Sequence, residues 1–478
     1  LQEIYTLISR KWLLCCCFLS LLSGCEKPST LDKIKERQTL HVITRNAPAV
    51  YFEGRDGPMG FEYELAKAFA DELNLTLDVK VASTRSQILS ALDNEYTNIA
   101  IAGMVATETR ANRYLYSSPY METTPIVVYR HGSTRPESLK DLIGKRVGVV
   151  SDSYHQEELK LMIERSPDLA DQLQWQGLDL ETIDLMKRIE EKDIDYAVIT
   201  SSELEIHQAY YPRVKKAFDI GKPQQISWYF PASTDHTLIN AVNHFFSRIE
   251  DDGTLLELKE RYFGHLGQLN YVGARTYIKH INQRLPKYEE WFKKYSDEHN
   301  LDWRLMAAMG YQESHWMPRA TSPTGVRGLM MLTQPTAKEM GIKNRLNPED
   351  SIKGGVGYFA KIKARMPERI QEPDRTWLAM AAYNVGFGHL EDARILTEKA
   401  GKDPDKWVDV KNFLPLLQKK KYYSQTRYGY ARGNEPVIYV QNIRRYYDVL
   451  TWLTQSQASE QAITESELEN GLIKLINN

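Results

Sequence analysis

Cysteine is nearly absent from this chain, and where it occurs says more than how often. All four cysteines, Cys15, Cys16, Cys17 and Cys25, fall in the first 25 of 478 residues. Beyond them no pair exists that could form a disulfide, so stability there must come from packed apolar cores. An excess of one charge is missing as well. Lys and Arg number 61 against 63 Asp and Glu, a net −2, which argues against nucleic acid as a partner. No apolar run after Cys25 is long enough to cross a bilayer as a helix. Internal repeats and long low-complexity tracts are lacking too. What remains is 42% hydrophobic and 26% charged residues, the composition of globular protein, in a chain long enough for two or more compact units. The basic run Lys419-Lys420-Lys421 is a solvated face on this view.

The first 25 residues have the layout of a secretory signal. Arg10 and Lys11 precede an apolar run from Trp12 to Leu22, and small residues follow in Leu22-Ser23-Gly24-Cys25. The run is short for a membrane span. Leu-Ser-Gly-Cys resembles the lipobox of bacterial lipoproteins, whose cysteine is acylated. That resemblance implies a membrane-attached protein with Cys25 as the lipidation site. Glu26 follows the cysteine, where inner-membrane lipoproteins commonly carry aspartate, which implies the periplasmic face of the outer membrane. An ordinary signal peptide, leaving a peripheral or soluble periplasmic protein, is the other reading. Residues 26–38, with Pro28, Ser29 and Thr30, are expected to form a polar tether.

From residue 39 to 266 strands and helices alternate. Leu40–Thr44, Leu75–Val81, Ile99–Ala102, Arg146–Val150 and Tyr196–Ile199 have strand character, separated by helical stretches that begin near Gly60, Ser86, Gln156 and Glu181. Alternation of this kind predicts parallel sheets with crossover helices. Two extended runs, Pro125–Tyr129 and Gln225–Phe230, are candidates for the two crossings of a hinge between lobes. A linker is expected at 267–278. From 279 to 455 the pattern is helical only: Leu285, Tyr288, Phe292 and Tyr295 recur at three and four residues, one apolar stripe. Residues 456–478 form an acidic, aromatic-poor tail, frayed or a lone helix.

The chemistry is concentrated in the helical region. Leu305, Met309 and Glu313 are spaced four apart, so the carboxyl group continues an apolar stripe. Burial disfavours the charged form, and such a group can hold its proton near neutral pH and give it to a leaving oxygen. After Glu313-Ser314 come Ser322-Pro323-Thr324-Gly325, Gly328-Leu329-Met330-Met331-Leu332, Ala381-Ala382-Tyr383-Asn384-Val385-Gly386 and Tyr439-Val440-Gln441-Asn442-Ile443. In this order they resemble the soluble-lytic-transglycosylase domain, a goose-type lysozyme relative of glycoside hydrolase family 23, over about 160 residues. The resemblance implies an all-α lysozyme-like fold acting on peptidoglycan glycan strands. Glu313 takes the place of the catalytic acid, Ser322 of a helper serine and Tyr383 of a tyrosine over the active centre. Tyr439 joins them as a substrate-positioning residue. Met331 stands where many members carry a substrate-contacting glutamine.

The implied reaction uses one carboxyl group twice and forms a 1,6-anhydro ring without water, whereas a hydrolase ordinarily pairs two carboxylates. Glu349, Asp350 and Glu435 are the other acids at hand, with solvated surface as their plainer reading. No cofactor or metal is expected, since histidines and acids do not cluster at ligand spacing, and His315 and His389 fit packing or surface roles. A muramidase hydrolase on the same fold, or a receptor that holds glycan without cutting it, are the alternatives.

The region 39–266 resembles the periplasmic solute-binding proteins for amino acids, through Gly60-Phe61-Glu62-Tyr63-Glu64-Leu65, Thr107–Arg113, Tyr116-Ser117-Ser118-Pro119-Tyr120 and Gly144–Val149. The resemblance implies a bilobal α/β, non-catalytic and regulatory module in which Arg110 grips a ligand carboxylate, a task that suits a guanidinium. Thr200 replaces the aspartate that usually holds the ligand amine, so a muropeptide is considered beside an amino acid. For Arg110 the plainer reading is an ion pair. The fold class expected overall is multidomain: a bilobal binding-protein-like domain followed by an all-α lysozyme-like domain.

Overall fold

The computed structural model describes residues 28–53, 57–93, 97–170, 172–265, 271–322 and 325–476. Cys25 and the rest of the signal region lie outside the described residues.

Two five-stranded sheets form the first module. In one lobe the order is Thr76–Ala82, Thr39–Arg45, Ile99–Ala100, Tyr229–Pro231, Tyr114–Tyr116; in the other it is Trp175–Leu178, Val147–Val150, Tyr196–Thr200, Pro125–Arg130, Val214–Asp219. Side chains alternate across each strand, so a continuous apolar run feeds two cores. Ile99 and Ile101 enter one cluster and Ala100 and Ala102 the other. Val147 and Val149 likewise face one side of the second sheet and Val150 the opposite side.

Both sheets are mixed rather than parallel. Pro125–Arg130 runs antiparallel to both its neighbours, and Tyr229–Pro231 is antiparallel to Ile99–Ala100. The chain crosses between lobes as a two-stranded ribbon of Met121–Thr123 and Gln224–Ile226. The expected hinge run Pro125–Tyr129 is therefore a central strand of the second lobe, and the crossing lies just before it.

Two expected connectors are structured. Within the proposed tether 26–38, Thr30–Arg37 is a helix with a capping box between Ser29 and Asp32, and its Ile34 is buried in the first lobe. Within the proposed linker 267–278, a helix begins at Tyr271 and runs to Gln283, and its fully buried Tyr277 belongs to the core of the helical module. In both places an apolar residue found a core to enter, which overrode the polar local composition. The C-terminal stretch continues a single helix, Asn434–Ile476.

The helical module is built around Trp303–Ser314. Asp302 caps its start by accepting from the Arg304 N–H, and Met306 to Met309 are completely buried. This helix packs along Asn434–Ile476, which also receives Asp374–Val385. Gly310 is required there: a Cβ would stand 2.9 Å from the Phe292 ring and 3.0 Å from the Met330 sulfur.

The modules dock through charges as well as apolar groups. Glu260, from the last helix of the first module, accepts from Lys411 at 2.6 Å and from Arg444 at 3.3 Å. Arg444 also donates to the Glu260 and Arg261 carbonyls at 2.6 and 2.7 Å, and its guanidinium lies over Trp377. Lys406 pairs with Glu257 at 2.8 Å, and His265 bonds to Asp448.

Candidate active site

Glu313 occupies the last turn of Trp303–Ser314. The helix stops because His315 and Trp316 both take positive φ, 52° and 54°. Trp316 then folds back, completely buried, and its indole N–H donates to the Ala307 carbonyl at 2.8 Å. This tryptophan is therefore part of the core, packed at a tilt against Tyr277 and edge-on against Tyr311. Leu305 and Met309 are buried as the spacing predicts, and Glu313 follows them with one partly open edge.

Two influences set the Glu313 pKa among the described residues. Burial pushes it up, and a hydrogen bond from Tyr439 opposes this; the result is a carboxyl raised to about 7. The Tyr439 hydroxyl donates to Oε1 at 2.6 Å, while the tyrosine itself is buried among apolar neighbours. Tyr383 is the second aromatic at this point. Its own pKa is raised well above the ordinary value, first by burial and then by the Glu313 charge, so the two groups lie within electrostatic reach.

Residues 325–332 close one side. Tyr383 donates to the Met330 carbonyl at 3.0 Å, and Ser314 donates to the Leu329 carbonyl at 2.7 Å. The Met330 N–H in turn reaches Ser351 Oγ at 3.0 Å. Gly328, at φ 90°, admits the close pass: a Cβ would lie 1.9 Å from the Arg345 carbonyl oxygen. Glu-Ser and Gly-Leu-Met are thus physically joined, since the residue after the acid clamps the turn after the glycine. Sequence reasoning missed Ser314 and Ser351 as clamps, though a lone serine on an apolar helix face was the available signal.

Met331 sits in this turn at φ 46°, half-buried. Ser322 is held at the other end, where Gly325 N–H donates to its carbonyl at 3.0 Å and Val326 N–H to its hydroxyl at 3.3 Å. The other acids are engaged elsewhere: Glu349 accepts from Tyr295 at 2.7 Å, Asp350 accepts from the Asn344 N–H at 3.3 Å, and Glu435 pairs with Arg432 at the surface. Among the described residues no group of three or more His, Cys, Asp and Glu could hold a metal ion.

Arg110 and Thr200 lie far from this centre, in the cleft between the lobes. Arg110 is ion-paired: its Nε donates to Glu157 of the opposite lobe at 2.6 Å, and a terminal nitrogen donates to the Asp152 carbonyl at 2.9 Å. Arg45 bridges to Glu181 and Glu203, and Arg85 to Glu203 at 2.8 Å. Thr200 caps a helix and donates to Glu203 at 3.0 Å. Burial alone would push Glu203 up, but Arg85 and Arg45 overrule it and hold the carboxyl well below the usual range. With these pairs in place the remaining cavity is about 40 Å³.

A carboxyl raised toward neutral pH, hydrogen-bonded to Tyr439 and within reach of Tyr383, on a helical scaffold joined to a two-lobed receptor-like module, is the arrangement of a glycan-acting lysozyme-like enzyme with an attached binding domain. Residues 290–406 match the transglycosylase SLT domain, and residues 40–265 match the bacterial extracellular solute-binding proteins, family 3. A membrane-bound lytic murein transglycosylase F of Hahella chejuensis is 55% identical over 450 residues, covering 93% of this chain and 88% of that protein. One of Pseudomonas fluorescens is 48% identical over 461 residues, covering 96% and 94%. Among solved structures, an ancestral arginine-binding protein bound to arginine is 25% identical, with 48% of this chain and 99% of that chain covered and a TM-score of 0.43. The chain belongs to the membrane-bound lytic murein transglycosylase F family. Tyr439 lies beyond the span of the SLT match, and the fold brings it to Glu313.

Proposed function

We propose that Glu313 is the single acid/base of this lytic transglycosylase. The enzyme cleaves peptidoglycan, and the bond assigned to Glu313 is the β-1,4 link from N-acetylmuramic acid to N-acetylglucosamine. With a pKa of about 7 the carboxyl is protonated in a large share of molecules at neutral pH. It donates that proton to the glycosidic oxygen as the bond to the muramyl C1 breaks. The carboxylate left behind accepts the proton of the muramyl C6 hydroxyl, whose oxygen bonds to C1. The product is a 1,6-anhydro end, and Glu313 is returned to its protonated form.

The observation that carries this reading is that, among the described residues, burial and the Tyr439 hydrogen bond are what tune Glu313, with Glu349, Asp350 and Glu435 engaged elsewhere. A pKa near working pH suits a group that must both give and take a proton. Tyr439 steadies the carboxylate between the two transfers. Tyr383, Ser322 and Met331 line up the sugar on the loop side. Mass spectrometry of digested sacculi is the test. Products one water lighter than hydrolysed muropeptides are expected, and products carrying that water identify a hydrolase instead.

The protein is membrane-associated, and Cys25 on the periplasmic face of the outer membrane is the anchor we favour. Several acyl chains are required for stable attachment, because one chain holds only marginally. Fatty-acid labelling that persists in Cys25→Ala would overturn that anchor. The first module is assigned a regulatory ligand, a muropeptide or amino acid, taken between the lobes by Arg110 and Thr200. Such a ligand must displace Glu157 from Arg110.

A further inference from the structure

The lysine triplet that reads from the sequence as a solvated face proves to be the start of a built loop. The chain leaves the core after the buried Leu417 and returns at Ala431, whose N–H donates to the Leu417 carbonyl at 3.2 Å. Two residues later Gly433 passes so close to Leu414 that a Cβ would lie 1.6 Å from its carbonyl oxygen. The segment between is a compact loop with its ends together, a form that frequently carries function. Its middle is tied down by the buried Asp392, whose two carboxylate oxygens accept from the Arg427 N–H at 3.0 Å and the Tyr428 N–H at 2.8 Å. Little ordering is left to be done when a ligand arrives.

This loop shows solvent cations and rings. Between Lys419 and Asn434 it holds five cations, Lys419, Lys420, Lys421, Arg427 and Arg432, and no acid, in a chain whose net charge is −2. Among the described residues only Arg432 of the five meets a carboxylate, that of Glu435 at 3.3 Å. Arg427 lies over the Tyr428 ring and Lys421 over the Tyr422 ring instead. Tyr428 and Tyr430 are 53% and 56% exposed, well beyond what is usual for tyrosine. The Tyr430 ring is propped at right angles to Tyr423, 5.8 Å away. Rings held out in this way offer an apolar body and a polar tip, which suits the C–H face and hydroxyls of a sugar.

The loop is fixed between the two segments that carry the active-site tyrosines. The Tyr428 ring covers Gly388, where a Cβ would come within 2.8 Å of it, and Gly388 follows Tyr383 by five residues, at most about 18 Å of chain. On its other side the loop runs into the helix Asn434–Ile476, where the exposed Ile438 precedes the Tyr439 that bonds Glu313. We propose that this loop is a binding surface for the acidic peptide stems of the glycan strand, with Tyr428 and Tyr430 against sugar rings and Arg427 and the three lysines against stem carboxylates. The proposal rests on the reading of Glu313 as the glycan-cutting centre. The stems hang from the muramyl sugars and make peptidoglycan a polyanion, so a strand drawn across Glu313 brings carboxylates alongside, and opposite charge steers and orients it.

Co-sedimentation of the full chain carrying Glu313→Gln, which leaves the polymer uncut, with insoluble sacculi tests this. Two preparations are compared, one bearing its stems and one stripped of them by an amidase. Binding to stem-bearing sacculi is expected to weaken with salt. Adding Lys419→Gln, Lys420→Gln, Lys421→Gln and Arg427→Gln together lowers that affinity about 10-fold, as the loss of four weak exposed ion pairs would. On stripped sacculi the same four changes shift affinity by less than about twofold, whereas Tyr430→Ala weakens binding to both preparations. Equal affinity of the fourfold variant and its parent for stem-bearing sacculi overturns the proposal. So does an effect of the four changes on binding to phosphatidylglycerol vesicles alone, which would make the loop a membrane-facing patch. Digestion of the sacculi by the Glu313→Gln parent is a different failure: it removes the reading of Glu313, and this proposal with it.

Discussion

The Tyr439 hydroxyl donates a 2.6 Å hydrogen bond to Glu313 Oε1 across 126 residues of sequence. This bond pulls the Glu313 pKa down while burial pushes it up, and the net result is a value of about 7. Tyr439→Phe removes it, so the carboxyl titrates at higher pH than in the wild type. The acid form is the one that protonates the leaving oxygen. Cleavage by the wild type therefore falls as pH rises through about 7, and in Tyr439→Phe that alkaline limb moves upward. The rate below the limb drops by roughly 10-fold or more, as expected for losing a hydrogen bond to a charged group. A pH–rate profile with the limb unmoved would show that Tyr439 does not touch the working carboxyl.

Glu313→Gln keeps the shape and removes the titrating proton. Glycan cleavage is expected to fall by at least ~1,000-fold with the circular dichroism spectrum unchanged, since no neighbouring acid substitutes. Stability moves the other way. A carboxyl whose folded pKa is raised binds its proton more tightly in the native state, so wild-type stability declines as pH rises from about 4.5 through about 7. Above that window Glu313→Gln is the more stable protein by about 2 kcal/mol, once the partly open edge of the site is allowed for. Urea melts at pH 4 and pH 8 measure the difference, which should all but vanish at the lower pH, below the unfolded carboxyl's titration.

Glu260 tests the docking of the modules. Its carboxylate meets Arg444, whose side chain is 1% exposed, and Lys411. In the full chain Glu260→Ala leaves a buried guanidinium without its counter-ion, and a loss of about 3 kcal/mol is expected. The isolated fragment from 271 to 455 is different, because removal of the first module returns Arg444 to water. That fragment should fold and cut glycan by itself, with the lysozyme-like core from Tyr277 to Leu450 intact. Cleavage confined to the full chain would mean the lobes complete the active centre.

Arg110 and Glu157 offer a direct probe of the first module. Glu157→Gln frees Arg110 of its internal carboxylate, so calorimetry with muropeptides should show tighter binding than in the wild type, and Arg110→Ala should show none. Heat identical in all three proteins would leave the module a scaffold.

How much of this was legible in the sequence depended on whether a residue's reason was local. The burial of Leu305 and Met309 follows from spacing, and so does the position of Glu313 at the end of their stripe. The run Ile99–Ala102 was legible as a buried strand from its continuous apolar character, and Ile99–Ala100 is strand in the fold. The helix Thr30–Arg37 carried a readable signal, the Ser29 and Asp32 capping box, but its polar composition pointed to a tether. Tyr277 could not be placed locally, because the core it enters is made by residues from Leu285 to Leu450. The same holds for Arg444, whose partners Glu260 and Arg261 lie more than 180 positions upstream. Ion pairs of this range leave no periodic trace. Arg110 followed the plainer of its two expectations, an ion pair, and only the fold identifies Glu157 as the partner.

The helix Asn434–Ile476 carries Tyr439 toward the catalytic acid and, five residues later, Arg444 into the module junction. On an α-helix those five residues fix a rotation of about 140° and a rise of about 7.5 Å. Substitutions between them can be absorbed one at a time by repacking. A single inserted or deleted residue cannot, because it turns everything beyond by about 100° and aims either the tyrosine or the arginine at the wrong surface. Between positions 439 and 444 the number of residues is therefore a structural constant that couples the catalytic centre to the module junction.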